Sequence, residues 1–333
     1  MFEFPLLVSD VGGTNARFGL VEHCEGPLTI IARLRTDDFD SLADAALEAT
    51  KALKQKPKSL IACGAGPVDG LKLKLTNAKW LIDGNREALQ LGLTSGLLLN
   101  DFEAQALTLP AIKPDWLHVI GPEIQPGPGP RLILGPGTGL GIGALIETDG
   151  RHVPVSSEAC HIDFGPVGAE EEAFWPHLER VFGRVTTESV MNGAGLVRIH
   201  KARASALNMP FTSQDGPSIT AAALAVHSSF EAQTIAAYWR IVARFAGDMA
   251  ITFAATGGVT LAGGILPRIA SLLDPNQFRN AFEDKAPVAA LAQRVSTALL
   301  INPDAVLHGM AAIGNRPSAY AIDYAARNWL KAL

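Results

Sequence analysis

A repeat inside the chain restricts its fold more than any other feature. Asp10-Val11-Gly12-Gly13-Thr14-Asn15-Ala16-Arg17-Phe18-Gly19-Leu20 can be laid over Gly135-Pro136-Gly137-Thr138-Gly139-Leu140-Gly141-Ile142-Gly143-Ala144. Gly13-Thr14 then falls on Gly137-Thr138, and Gly19 on Gly143. Each copy reads as strand, Gly-Thr turn, strand. Two related glycine hairpins about a domain apart predict a duplicated fold closing on one phosphate chain from both sides.

The 333 residues, 48% hydrophobic and 18% charged, suffice for two domains with a sizeable core. Strand and helix signals alternate, which predicts α/β layers. Apolar runs bounded by Gly or Asp predict strands at Leu6–Ser9, Ser59–Ala62, Gly96–Leu99, Leu132–Leu134, Gly141–Ile146 and Val259–Ala262. Helical spacing predicts helices over Ser41–Leu53, from Thr187 or Glu188 to about Leu207, and over Ile219–His227. The apolar stretch Ala236–Gly264 is interrupted by Arg240, Arg244 and Asp248, so it reads as a buried helix followed by a strand and not as a membrane span. The Pro/Gly-rich Gly121–Pro130 reads as an exposed loop.

The formal charge of -5, with no local basic patch beyond the lysines of 51–58, argues against a nucleic-acid binder. Cys24, Cys63 and Cys160 form no CxxC pair, which excludes a disulfide framework and argues against a cysteine zinc site. The N-terminus lacks the basic region and cleavage site of a signal peptide. A reducing, cytoplasmic location is expected.

In the first hairpin, Gly12-Gly13-Thr14 lets backbone N–H groups converge on an anion, and Asp10 is placed to hold Mg²⁺ through water. An ordinary glycine-rich turn is the alternative. The second hairpin carries so many glycines that a bound polyphosphate is expected to compensate, with the Thr138 hydroxyl as a further donor. Gly263-Gly264, after the strand at Val259, either admits an adenine ring or belongs to a helix N-terminus. Asn100-Asp101 ends the buried run Leu97-Leu98-Leu99, at the carboxyl end of a strand where open α/β sheets place ligands. Asp101 is therefore a candidate base, or else an N-cap for the helix beginning at Phe102. Glu158 and His161 share one loop, and Glu188 opens a helix. All three can hydrogen-bond sugar hydroxyls. The alternatives are a metal at His161, for which Glu158-x-x-His161 lacks a second cluster, and a first-turn carboxylate at Glu188.

Taken in order, DVGGTNAR, LLNDFEA, GPGTGLGIG, SEACHIDF, TTESVMNGAGL and LAGGILPR resemble the bacterial glucokinase family of the hexokinase–actin–Hsp70 superfamily. The resemblance covers nearly the whole chain. It implies an α/β, two-domain actin-like ATPase (ribonuclease H-like) fold with a duplicated core and an interdomain cleft. The small domain would hold residues 1–109 plus a C-terminal helix at about 318–333, and the large domain 110–317. By the same resemblance Asp101 is the catalytic base and Asn100 a glucose contact beside it. Glu158, His161 and Glu188 are further sugar contacts, and Thr76-Asn77 matches the sugar-edge loop. Asp10, Val11, Gly12, Gly13, Thr14 and Asn15 match the first phosphate loop, and Gly137, Thr138 and Gly139 the second.

The implied reaction moves the γ-phosphoryl group of MgATP to the 6-hydroxyl of glucose. ATP and Mg²⁺ are the expected cofactors and a homodimer the expected assembly, with no nucleic acid or membrane partner. Where the family pattern places two glycines between the Glu and the His, this chain has Ala159-Cys160. A related kinase–repressor family carries a cysteine-rich zinc loop after its His, whereas here Ile-Asp-Phe-Gly-Pro follows His161. A kinase for another hexose or an amino sugar, a non-catalytic sugar and ATP sensor, and a filament-forming ATPase are the rival readings.

Overall fold

Leu6, Leu7 and Val8 are all buried, so the strand they form must be covered on both faces, as in a parallel α/β sheet. The computed structural model, which describes residues 2–76, 78–211, 215–327 and 329, builds that sheet from its first segment. Strands β1 (Leu6–Val11), β2 (Asn15–Val21) and β3 (Leu28–Arg35) form an antiparallel meander. Helix α1 (Leu42–Thr50) follows, its N-cap Ser41 accepting the Asp44 N–H at 3.1 Å. Strand β4 (Ser59–Gly64) then pairs parallel to β1.

A small sheet of β5 (Val68–Asp69), β6 (Lys72–Lys74) and β7 (Leu81–Asp83) leads into α2 (Gly84–Leu91). Strand β8 (Ser95–Asn100) joins β4 in parallel and runs straight into α3 (Asp101–Thr108). The strand order is β3-β2-β1-β4-β8.

The second sheet contains β9 (Leu117–Val119), β10 (Arg131–Pro136), β11 (Leu140–Thr148), β12 (Arg151–Ser157), β13 (Val259–Leu261) and β14 (Thr297–Leu300). Its order is β12-β11-β10-β13-β14-β9. Leaving aside the edge strand β9, each sheet reads third, second, first, fourth, fifth along its own chain. The duplication expected from the glycine hairpins is thus present in strand order, with β1–β2 and β10–β11 in equivalent places. The segment 121–130 carries no helix or strand and is exposed or half-buried throughout, as its Pro and Gly content predicts.

Helices α4 (Gly168–Phe174), α5 (Thr187–Val190), α6 (Gly193–Ala206), α7 (Gly216–Ala225) and α8 (Phe230–Thr252) follow β12. The helix predicted from 187 or 188 to about 207 is in fact two. Met191 breaks the first, and Asn192 caps the second by accepting the Gly195 N–H at 2.7 Å. The stretch 236–264 behaves as expected, a buried helix and then β13. Its charges have partners: Arg240 pairs with Glu170, Arg244 with Glu171 at 2.8 Å, and Asp248 with Lys285 at 3.0 Å. Among the described residues no helix is long and apolar enough to cross a membrane.

Helices α9 (Pro275–Glu283) and α10 (Ala289–Ala292) precede β14. The chain then adds α11 (Ala305–Asn315), which packs on α3 and β1, and a short α12 (Tyr324–Arg327). The described chain forms two compact units. One comprises Met1–Lys113, Leu145–Val155 and Asn302–Leu333, the other Pro114–Ala144 and Ser156–Ile301.

Candidate functional site

In the first unit, β1, β4 and β8 are adjacent and parallel, so their carboxyl ends fall at one level. The register pairs Asp10 with Cys63, Val11 with Gly64 and Gly64 with Asn100. Asp10, Asn100 and Asp101 therefore come to one sheet edge. The N-cap of α3 is Asn100, not Asp101. Its Oδ1 accepts the N–H groups of Phe102 and Glu103 at 3.0 and 3.2 Å, and its Nδ2 donates to the Gly66 carbonyl at 3.0 Å. Asn100 is thus committed to fixing the turn. Asp101, in the first helical position, is left with a half-buried carboxyl that the cap does not use. Burial, with the Asp10 charge adding to it, pushes the Asp101 carboxyl from 3.8 up to about 6.

Asp10 accepts from Arg17, its cross-strand partner in the β1–β2 register, and from the Cys63 thiol at 3.5 Å. Arg17 also donates to the Pro303 carbonyl and lies 3.8 Å from Asp304. Burial works against the guanidinium, but Asp10, with Cys63 and Asp304 adding to it, outweighs that effect and the pKa is raised. Burial likewise pushes the Cys63 thiol well up. In the adjoining turn the Gly12 N–H donates to the Asn15 carbonyl at 2.9 Å, while Thr14 and Asn15 are exposed. Thr36 holds this turn from β3's end: its hydroxyl donates to the Gly13 carbonyl at 2.8 Å and its N–H to the Thr14 carbonyl at 3.0 Å. The Val11 side chain is in the core, which leaves only its backbone for a ligand.

In the second unit, the turn Gly137-Thr138-Gly139 closes with the Gly137 N–H donating to the Gly139 carbonyl at 2.7 Å. The Gly193 N–H, opening α6, donates to the Gly137 carbonyl at 3.1 Å. Thr138 is exposed. Glu188 reaches this same turn, its Oε2 accepting the Leu140 N–H at 3.0 Å. A side chain on Gly139 would bring a Cβ within 2.7 Å of that carboxylate oxygen. Gly263, at φ +88°, lies where β10 and β13 exit side by side, and a Cβ there would stand 2.3 Å from the Pro136 carbonyl oxygen. The two glycine segments thus meet backbone to backbone. The helix expected directly after Gly264 is a 3₁₀ turn over Leu266–Leu272.

Glu158, Cys160 and His161 surround the 3₁₀ turn Ala159–His161. Thr187 fixes the turn, donating its hydroxyl to the carbonyls of Ala159 and Cys160 at 2.9 and 2.6 Å, and its N–H to Ile162 at 3.1 Å. Because Glu188 is the next residue, this brace sets three of the predicted sugar contacts, Glu158, His161 and Glu188, on neighbouring turns around Cys160. The Glu158 and His161 side chains are 88% and 59% exposed, with 3.7 Å between Glu158 Oε2 and His161 Nε2. Burial, together with the Glu158 and Glu188 carboxylates, pushes the Cys160 thiol up to about 12. Asn77 lies outside the described residues.

Sequence reasoning did not single out Arg17, Thr36, Thr187 or Glu103. Arg17 was legible, since a two-residue turn at Gly13-Thr14 sets Gly12 opposite Asn15 and Asp10 opposite Arg17 as an ion pair. Glu103 forms a capping box with Asn100, and the spacing Asn-x-x-Glu signals it. The two threonines act on turns distant in sequence and carry no local signal.

A family model described as Glucokinase matches residues 7–316. The chain is 37% identical over 333 residues to the glucokinase of Chelativorans sp. (strain BNC1), covering 99% of this chain and 96% of that protein. It superposes on the crystal structure of a glucokinase from an Antarctic psychrotroph with a TM-score of 0.83 at 27% identity, over 94% of this chain and all of the other. A ROK family glucokinase from Streptomyces griseus, in complex with glucose and AMPPNP, shares the fold with a TM-score of 0.63 at 20% identity, over 92% and 98% of the two chains. In sequence over its whole length and in fold, the chain belongs to the glucokinase family.

Proposed function

We propose that this protein transfers the γ-phosphoryl group of MgATP to the 6-hydroxyl of glucose, giving glucose 6-phosphate, with Asp101 as the base. The observation that carries the reading is the Asp101 carboxyl. It stands at the carboxyl end of a buried strand, free of the cap that Asn100 supplies, and is held at about 6 by burial. A carboxyl near that value is mostly ionised at neutral pH yet basic enough to take a proton. The 37% identity to a glucokinase over the full length supports glucose as the substrate.

Phosphoryl transfer passes through a loose transition state, so positioning and charge stabilisation dominate. Asp101 accepts a hydrogen bond from the 6-hydroxyl, aims its lone pair at the γ-phosphorus, and takes the proton as the bond to phosphorus forms. Glu158, His161 and Glu188 hold the other hydroxyls, with Asn77 at the sugar's edge. The Asn100 amide stands beside Asp101 as a further sugar contact. The turns at 12–15 and 137–139 hold the phosphates through backbone N–H groups and the Thr14 and Thr138 hydroxyls. Gly263 and Gly264 let the adenine approach the backbone.

The donors at Asp10 suit Mg²⁺, a hard cation that keeps most of its waters. Both Asp10 oxygens already accept, from Arg17 and Cys63, so Asp10 fits the ion's water shell better than the ion itself. When bound, Mg²⁺ neutralises charge on the β- and γ-phosphates. A cytoplasmic location, a place at the first step of glycolysis and a homodimer belong to the same proposal. So does the correspondence of the expected small domain, 1–109 with about 318–333, to the first unit.

The test is ADP release from MgATP by purified protein with glucose, mannose, fructose, galactose, N-acetylglucosamine, N-acetylmannosamine or no sugar. Glucose should lead by about a hundredfold or more in kcat/KM, because groups that are matched to each hydroxyl and covered by the bound sugar reject analogues that leave them unpaired. Release favouring an amino sugar moves the substrate. Sugar binding without release makes the protein a sensor.

A further inference from the structure

We propose that Glu158, Cys160 and His161 form a site for a borderline-soft divalent cation of the Zn²⁺ class, and that filling it takes the sugar-binding loop out of use. Sequence spacing offered only Glu158-x-x-His161, two ligands and no more. The 3₁₀ turn changes that count by swinging Cys160 inward between them. Among the described residues, these three form the group whose metal-capable atoms all lie within 4.8 Å of one another. Glu158 Oε2 is 3.6 Å from Cys160 Sγ and 3.7 Å from His161 Nε2. Bond lengths of about 2.0–2.3 Å in a tetrahedral Zn²⁺ site put neighbouring donor atoms roughly 3.3–3.6 Å apart, so the two pairs to Glu158 already stand near that spacing and the exposed His161 ring has only to turn toward the thiol to close on an ion.

The parts divide sensibly between rigidity and access. Cys160 is 5% exposed, and Thr187 bonds to its carbonyl and to that of Ala159, so the thiol has a fixed backbone. The two outer ligands are exposed and can swing. A carboxylate, an imidazole and a sulfur together favour Zn²⁺ or Cd²⁺ over Mg²⁺, which prefers oxygen alone. On binding, the Cys160 thiol gives its proton to solvent and the sulfur bonds the metal as thiolate. Three protein ligands leave the fourth position to water. Glu158 and His161 cannot then serve a sugar, a consequence that rests on the proposed function.

The experiment uses the full chain with Cys24→Ser, which removes the exposed thiol. Cd²⁺ is titrated in the absence of sugar and nucleotide, following the ultraviolet thiolate-to-cadmium charge-transfer band, and Zn²⁺ is then added to displace it. One equivalent of Cd²⁺ should raise the band, and Zn²⁺ should remove it. Cys160→Ala should abolish the band, and His161→Gln, which keeps the thiol, should weaken Cd²⁺ binding about tenfold or more. No band, or a band that survives Cys160→Ala in folded protein, overturns the site. Glucose should raise the Cd²⁺ concentration needed. A band with the expected variant dependence that ignores glucose leaves the cation site standing and removes Glu158 and His161 as sugar contacts.

Discussion

The Asp101 carboxyl is destabilised by the fold that positions it, and two predictions follow from the direction of its shift. Its pKa is raised from 3.8 to about 6, first by burial and then by the Asp10 charge. Only the ionised form can accept a proton, so kcat/KM should fall as pH drops through about 6, approaching tenfold per pH unit below it. A pH–rate profile with a flat acid limb down to pH 5 contradicts this. For stability, the folded state binds more protons than the unfolded state between the two pKa values. Stability contributed by this group therefore falls as pH rises from about 4 to about 6, and the penalty is constant above that. A displacement of about two pH units corresponds to roughly 3 kcal/mol. Asp101→Asn should raise the melting temperature of ligand-free protein at pH 7 and leave it nearly unchanged at pH 4, as read by thermal unfolding. Asp101 could be found in the sequence because a run of leucines ends there. Thr36 and Thr187 could not, because each acts on a turn brought near only by the finished fold.

At the level of elements, β8 and α3 owe their junction to two separate devices. One is the capping box between Asn100 and Glu103, legible as Asn-x-x-Glu. The other comes from the C-terminal segment and was not legible. Arg327 donates to both Glu103 oxygens at 2.7 and 2.9 Å and to the Leu98 carbonyl at 2.6 Å. Trp329 is fully buried, its backbone N–H donating to the Gly96 carbonyl at 3.1 Å. A Cβ on Gly84 or Gly96 would collide with its indole, at 2.4 and 2.1 Å. These glycines look like strand and helix weaknesses until the tryptophan is in place. Trp329→Ala should cost about 3–5 kcal/mol in a denaturant titration, with turnover per folded molecule little changed. A loss below about 1 kcal/mol would mean that the indole is not holding this junction. The opposite kind of surprise is the break at Met191. Apolar spacing continued through it, but Asn192 starts a new cap, and the break brings the Gly193 N–H to the second glycine turn.

For the whole molecule, the internal repeat of glycine hairpins carried the most information. It anticipated a duplicated fold, and the structure carries the duplication as two sheets with a shared strand order. What it could not anticipate were the additions to the duplicated plan: the small sheet β5–β7 and the edge strand β9. The apolar runs there are two or three residues long, too short to read. The chain's return to the first unit through α11 was also hidden, since a helix's amphipathic pattern does not say which sheet it covers. Binding linkage gives a prediction at this scale. A sugar that binds only the folded protein, at about a hundred times its Kd, adds about 2.7 kcal/mol to stability. Glucose should raise the melting temperature in a concentration-dependent way, and galactose at the same concentrations should not. Equal shifts for both sugars would count against sugar contacts matched to glucose.

The most direct test of the central claim compares wild type with Asp101→Asn, measuring glucose-dependent ADP release and glucose affinity on the same preparations. With Asp101 as base, kcat should fall by about two to four decades, the usual contribution of a general base, with glucose Kd changed by less than about tenfold. Turnover close to wild type, with glucose still bound, contradicts it and removes Asp101 from the role of base.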